Sequence, residues 1–78
     1  MSITETIKEN KSKWDLMTIL QLEEERAKLK RMATIAYEYR DEEESYGNYD
    51  YAQEEKEAAG RYFKESTAIK KYIKQFRK

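Results

Sequence analysis

The sequence predicts an all-α protein built as a long antiparallel helical hairpin, with a short helical arm at its N-terminus. Proline is absent and the only glycines are Gly47 and Gly60, so few residues in the chain oppose helix formation. A single cluster of turn-forming residues, 45–50, separates two segments that both carry apolar residues at helical spacing. Two helical segments joined by one short turn are typical of an antiparallel hairpin.

The first element expected is the arm, residues 1–12. Ser2 and Glu5 have the spacing of a capping box at a helix start, and Ile3 and Ile7 lie four residues apart on one helical face. The six residues after Ile7 are all polar. We therefore expect a short helical arm that frays when it has no partner.

The second element expected is a helix over about residues 13–44. Its apolar side chains cover an arc of about 200° when successive residues are placed about 100° apart, whereas one partner helix covers only about 100°. We therefore expect two hairpins to associate as a homodimer, in a four-helix bundle that buries the excess apolar surface. The candidate residues of this dimer face are Leu22, Leu29, Met32 and Ile35.

The turn is expected at 45–49 and the second helix over about 50–77. Two series recur at every seventh residue of this helix, namely Ala52, Ala59, Ser66 and Ile73, and Glu55, Tyr62, Ile69 and Phe76. Alternating steps of three and four residues predict a seam that packs against a neighbouring helix. A short turn pairs residues of the two helices whose numbers sum to about 95, which sets Ala36 opposite Ala59.

Charge is sorted along the chain, although the formal net charge is zero. Residues 41–57 contain eight acids and one base, and residues 61–78 contain seven bases and one acid. A neutral total argues against general affinity of the whole chain for nucleic acid or membranes, but each charged end is able to act locally.

Composition argues against catalysis. The chain has no His and no Cys, which removes the commonest general base, the commonest metal ligands and the thiolate nucleophile. The adjacent acids 41–44 would lie on a thin hairpin without a cleft to desolvate them. The turn around Gly47 also lacks the ligands that a calcium-binding loop needs at its first, fifth and last positions. We therefore expect a non-enzymatic protein without cofactor or metal.

The cellular compartment is predicted from two features that the sequence lacks. No apolar run approaches the ~20 residues of a membrane span, and the N-terminus lacks the apolar core of a signal peptide. We expect a cytoplasmic protein that makes no contact with a membrane.

The most unusual feature is the acidic, tyrosine-rich region around the turn, residues 37–51, called the tip below. Tyrosine supplies large contact area at low entropic cost, which suits binding surfaces. Acids at a helix C-terminus are unfavourable unless something compensates them. The candidate partner-binding residues are Tyr37, Tyr39, Asp41, Glu42, Glu43, Glu44, Tyr46, Tyr49, Asp50 and Tyr51. The alternative is that Tyr37 and Tyr39 pack inside the hairpin while the acids keep the tip soluble.

A basic C-terminal end is a second candidate site, for contacts with nucleic-acid phosphates. Its candidate residues are Lys70, Lys71, Lys74, Arg77 and Lys78. Nucleic acid is not the favoured partner, because the nearby Ile73 and Phe76 belong to the seam. Cations are also favourable at any helix C-terminus, by about 0.3–1 kcal/mol each.

Together these features favour a small protein-binding or regulatory protein that acts through the tip and an apolar helical face. One alternative is an inhibitor of the kind that phages and mobile elements carry, whose acidic tip occupies the basic groove of a nucleic-acid-acting protein. Direct nucleic-acid binding through the basic end belongs to the same alternative. Another is a helical subunit that buries its apolar face in a larger assembly.

Overall fold

The computed structural model describes residues 2–77 and contains three α-helices in that range: α1 Ile3–Asp15, α2 Ile19–Ser45 and α3 Tyr49–Phe76. α2 and α3 form the hairpin, and α1 packs mainly against α3. The described chain measures 46 × 23 × 16 Å along its principal axes. The predicted all-helical class is confirmed, with α1 as an additional packed helix.

α1 begins at its predicted cap but extends further than the predicted arm. The Ser2 hydroxyl accepts a hydrogen bond from the Glu5 amide at 3.1 Å, which satisfies one of the free N–H groups of the first turn. The helix then continues through the polar run to Asp15. The predicted boundary, with an arm ending at 12 and a long helix starting at 13, is therefore wrong.

The chain breaks instead at residues 16–18, between α1 and α2. The Thr18 hydroxyl accepts a hydrogen bond from the Gln21 amide at 3.1 Å, and the Gln21 side chain accepts one from the Thr18 amide at 2.8 Å. This reciprocal capping box stabilises a new helix start, although neither glycine nor proline stands nearby. α2 therefore begins at Ile19.

A glycine-dependent motif ends α2 and creates the hairpin turn. The backbone amide of Asn48 donates a hydrogen bond to the Glu43 carbonyl at 2.8 Å, and the backbone amide of Gly47 donates one to the Glu44 carbonyl at 3.1 Å. This is the pattern of a Schellman motif. Gly47 has a φ of +79°, a conformation that a Cβ atom disfavours. α3 then begins at Tyr49, so the turn lies within the predicted 45–49.

A hydrophobic core with residues from all three helices forms at one end of the molecule. This end is called the base below. Its buried members are Ile7 and Trp14 of α1, Leu22 and Leu29 of α2, and Ala68, Ile69 and Tyr72 of α3. The Trp14 side chain is fully buried, and its ring meets that of Tyr72 edge-on with centroids 5.4 Å apart. α1 is therefore an integral third helix of the fold and not a frayed arm.

This core corrects half of the predicted dimer face. Leu22 is 0% and Leu29 is 4% exposed, because both belong to the same cluster as Ile7 and Trp14 of α1. Burial within a single chain leaves neither leucine on the surface. Part of the excess apolar arc of the first long helix is thus covered by α1, a partner helix within the same chain.

Towards the tip, the packing between α2 and α3 depends on small side chains. Ala33, Ala36 and Ala59 form a separate small buried cluster there. Ala36 and Ala59 thus lie together as the predicted register requires. Small residues at this level let the two backbones approach closely, and no α1 residue belongs to this cluster among residues 2–77.

Candidate protein-binding surface at the hairpin tip

Most tyrosines of the tip are turned towards solvent. Four of the five are more than half exposed: Tyr39, Tyr46, Tyr49 and Tyr51. Tyr37 differs, because its ring packs against the Phe63 ring at 5.7 Å between centroids and lies under the Arg40 guanidinium at 4.9 Å. Of the two tyrosines that could pack inside the hairpin, the structure thus packs Tyr37 against Phe63 and leaves Tyr39 more than half exposed.

The acids of the tip lie mostly at the C-terminus of α2. Asp41 accepts two hydrogen bonds from the guanidinium of Arg40, at 2.8 Å from Nη2 and 3.2 Å from Nε, and this pairing raises the pKa of Arg40 above its usual value. Glu43 accepts a hydrogen bond from the Asn48 side-chain amide at 2.8 Å. Exposed acids that the tip also presents are Glu42, Glu44 and Asp50.

The electrostatics at this helix end are unfavourable in the isolated chain. The last turn of α2 contains no basic residue, so the partial negative charge of its final carbonyl groups adds to the negative charge of the acids. A cationic surface placed against the tip would relieve this repulsion.

An open apolar groove, called the distal groove below, runs between α2 and α3 next to the tip. It is lined by Met32, Ile35, Ala36 and Tyr39 of α2 and by Glu55, Ala58 and Tyr62 of α3, and it encloses about 310 Å³. Ile35 is 49% and Tyr39 is 53% exposed. The two remaining dimer-face candidates, Met32 and Ile35, thus border a groove.

Four groove residues were not predicted as site residues: Ala36, Glu55, Ala58 and Tyr62. Tyr62 belongs to the seven-residue series of the seam, which gave it a role in packing. Ala58 precedes the buried Ala59 and is half-buried; the turn of about 100° per residue places it at the edge of the seam. A small residue at such an edge is the signal that could have indicated a groove.

The basic end divides into exposed lysines and one arginine with a structural contact. Lys70, Lys71 and Lys74 are exposed, whereas Lys78 lies outside the described residues. Arg77 donates from Nη1 to the Met17 carbonyl at 2.8 Å and to the Trp14 carbonyl at 3.3 Å. One nitrogen of its guanidinium thus binds carbonyl groups at and just beyond the end of α1, while its contact with phosphates stays a prediction.

Three further observations concern metal ions, membrane-spanning helices and known proteins. Within residues 2–77, no group of three or more acidic side chains is placed to hold a metal ion. None of the helices in that range is both long and apolar enough to cross a membrane. Comparisons with family models, with curated proteins and with solved structures give no match for this chain.

Proposed function

We propose that this chain is a small non-enzymatic protein that binds another protein through its tip and the adjoining distal groove. The observation that carries the proposal is the exposure of tyrosines among acids, with Tyr46 at 73% and Tyr49 at 70%. Large aromatic side chains left in water at the turn of a hairpin contribute nothing to its core, whereas aromatic side chains of this kind dominate the energetics of protein interfaces.

The charge of the tip indicates the character of the partner. Residues 37–51 include six acids and a single base, Arg40. Complementary charge accelerates association and selects among partners more than it adds affinity. A basic partner surface would therefore be steered to the tip, while the tyrosines and the apolar groove supply the buried contact.

A second candidate function is inhibition of a nucleic-acid-acting protein. The exposed acids Glu42, Glu44 and Asp50 present negative charges like those that a basic nucleic-acid-binding groove is built to accept. In this case nucleic acid and this chain compete for the same surface of the partner. Displacement of the captured partner by duplex DNA or RNA would distinguish this function from a simple adaptor role.

Self-association through the same face is the competing proposal. Met32, Ile35 and Tyr39 leave apolar surface on α2 after α1 has packed, and a second hairpin would cover it in a four-helix bundle. A homodimer would sediment at twice 9.5 kDa, and a monomer at micromolar concentration would contradict it.

The proposed function is tested by site-specific photocrosslinking in the native host. A benzophenone amino acid replaces Tyr49 at the tip in one variant and Leu16, 89% exposed at the far end of the molecule, in the matched control. We expect a discrete adduct of defined mass from position 49 and none of that mass from position 16. Identical adducts from both positions, or an adduct only from position 16, would contradict binding through the tip.

A further inference from the structure

The distal groove continues the surface on which α1 packs. One stripe of α3 residues, at alternating steps of four and three, consists of Ala58, Tyr62, Glu65, Ile69 and Tyr72. At the base α1 covers this stripe, since Trp14 contacts Tyr72 and Thr6 borders a cavity with Glu65. Towards the tip the same stripe, at Ala58 and Tyr62, borders the open distal groove.

α1 shows what kind of element this surface accepts. It is a helix whose Ile7 and Trp14, seven residues apart, are buried in the base core, with Ile3 packed against the edge of that core. α1 has 13 residues and α3 has 28. At about 1.5 Å per residue, α1 leaves roughly 20 Å of α3 uncovered. That length matches a further helix of about three to four turns.

Charge determines which helix fits there. Glu55 lines the groove, and Asp50, Glu54 and Glu57 lie exposed on the same stretch of α3. A helix with lysines or arginines beside its apolar stripe would meet opposite charge at Glu55 and on this stretch of α3. An acidic helix would be repelled by it.

A second copy of this chain is a poorer occupant than a foreign helix. The large apolar side chains that its helices align at the base are already buried in the base core, including Trp14, Leu22 and Ile69 at 0% exposure. Docking one of them into a neighbouring groove would require that core to open, and burial of such large side chains is the main stabilising contribution in a chain of this size.

We propose that the distal groove binds a basic amphipathic helix of the partner protein, of about three to four turns, packed as an extension of α1. The apolar side chains of that helix, three and four residues apart, contact Ile35, Ala58 and Tyr62, and its basic flanks face the acids of α3. This inference rests on the proposed function and names the chemistry of the partner.

A defined peptide tests the inference without knowledge of the natural partner. The probe is a fluorescein-labelled peptide of about 14 residues made of lysine, alanine and leucine, with leucines three and four residues apart on one face. One control peptide has glutamate in place of lysine, and another has the same composition with leucines spread around the helix. We expect fluorescence anisotropy to detect binding of the first peptide only.

Two pairs of variants locate the binding. Ala58→Arg fills the groove and places a positive charge beside Glu55, and Ala27→Arg adds the same side chain at an exposed position of α2. The second pair is Ile35→Lys in the groove and Leu20→Lys outside it as the control. The two replaced side chains are both exposed, Ile35 by 49% and Leu20 by 69%. We expect the groove variants to raise the Kd by at least about tenfold and the controls by less than about twofold. Circular dichroism checks that all four variants keep their helical content.

Each other outcome overturns the inference and leaves the proposed function separately testable. Equal weakening by Ala58→Arg and Ala27→Arg would mean that only the net charge attracts the peptide. Absence of binding by any peptide would exclude helix docking, while photocrosslinking at Tyr49 could still succeed. A homodimer that Ala58→Arg dissociates and Ala27→Arg does not would assign the groove to a second copy of this chain.

Discussion

The Tyr72 hydroxyl donates a hydrogen bond to the Asp15 carboxylate, joining the C-terminal end of α1 to α3 across 57 positions of sequence. Lys11 Nζ lies 2.9 Å from the other carboxylate oxygen of Asp15. The Tyr72 hydrogen bond is the largest cause, and the Lys11 contact the second, of a pKa for Asp15 below its usual 3.8. This pair reports directly on whether α1 is docked.

Tyr72→Phe should raise the pKa of Asp15 towards 3.8, because the charged carboxylate loses its strongest hydrogen bond while Lys11 remains. A carbon-detected NMR titration of the Asp15 carboxyl group measures this pKa. Tyr49→Phe at the exposed tip makes the same chemical change and should leave that pKa unaltered. An unaltered pKa in Tyr72→Phe would mean that α1 does not pack on α3 as described.

The same pair gives the stability a defined pH dependence. Because the pKa of Asp15 is lower in the folded chain than in the unfolded chain, its contribution is fully present above the unfolded value near 3.8 and is lost as the pH falls through the folded value. The free energy of unfolding of Asp15→Asn should therefore fall less steeply than that of the wild type below about pH 4. Urea unfolding at a series of pH values checks this, and parallel curves would contradict it.

Arg77→Ala should destabilise the fold by about 1–2 kcal/mol, because the Trp14 and Met17 carbonyl groups lose a charged hydrogen-bond donor. Lys74→Ala removes an exposed cation from the same end of α3 and should change the stability by less than about 0.5 kcal/mol. Urea denaturation followed by circular dichroism measures both. Equal effects would indicate a general charge effect at the helix end.

Trp14→Ala should cost about 3–5 kcal/mol, because it removes the largest fully buried side chain of the base core. Leu16→Ala, two residues further on and 89% exposed, should cost no more than about 0.5 kcal/mol. A loss below about 1 kcal/mol in Trp14→Ala would show that α1 contributes little to the fold.

The two glycines should respond to alanine in opposite directions. Gly47→Ala should destabilise by about 1 kcal/mol or more, since φ at this residue is +79°. Gly60→Ala should stabilise by about 0.5–1 kcal/mol, because Gly60 lies inside α3 with nothing within 4 Å of the new methyl group. Thermal unfolding of the two variants under identical conditions measures both changes in stability. A stabilised Gly47→Ala would contradict the described turn.

The hairpin could be predicted because its signals are local. The seven-residue series of α3 identified Ala52, Ala59 and Ser66, all of which are buried, and Gly47 marked the turn. Such periodicity follows from the helix itself and needs no knowledge of distant contacts.

The docking of α1 could not be predicted from the same signals, because it depends on a contact between distant parts of the chain. Its anchors Ile7 and Trp14 are separated by a polar run that resembles a solvated segment, and their neighbours Ile69 and Tyr72 lie near the other end of the sequence. The local signal that did exist was the capping box of Thr18 and Gln21, which marks where α1 has already ended.

The candidate site was predictable in composition but not in shape. The tyrosines and acids of the tip follow from the residues around Gly47. The distal groove exists because α1 is shorter than α3, and the role of Arg77 depends on where α1 ends. Both features follow from the packed arrangement of three helices, which periodicity alone does not specify.

Binding through the tip is tested most directly by the affinity of the photocrosslinked partner for two matched triple variants. One variant replaces Tyr46, Tyr49 and Tyr51 with alanine, and the other replaces Lys70, Lys71 and Lys74 with alanine. We predict that the tyrosine variant raises the Kd by at least about thirtyfold, since exposed tyrosines supply the buried contact, while the lysine variant changes it by less than about threefold. The reverse order, with the larger loss in the lysine variant, would contradict binding through the tip and assign the function to the basic end.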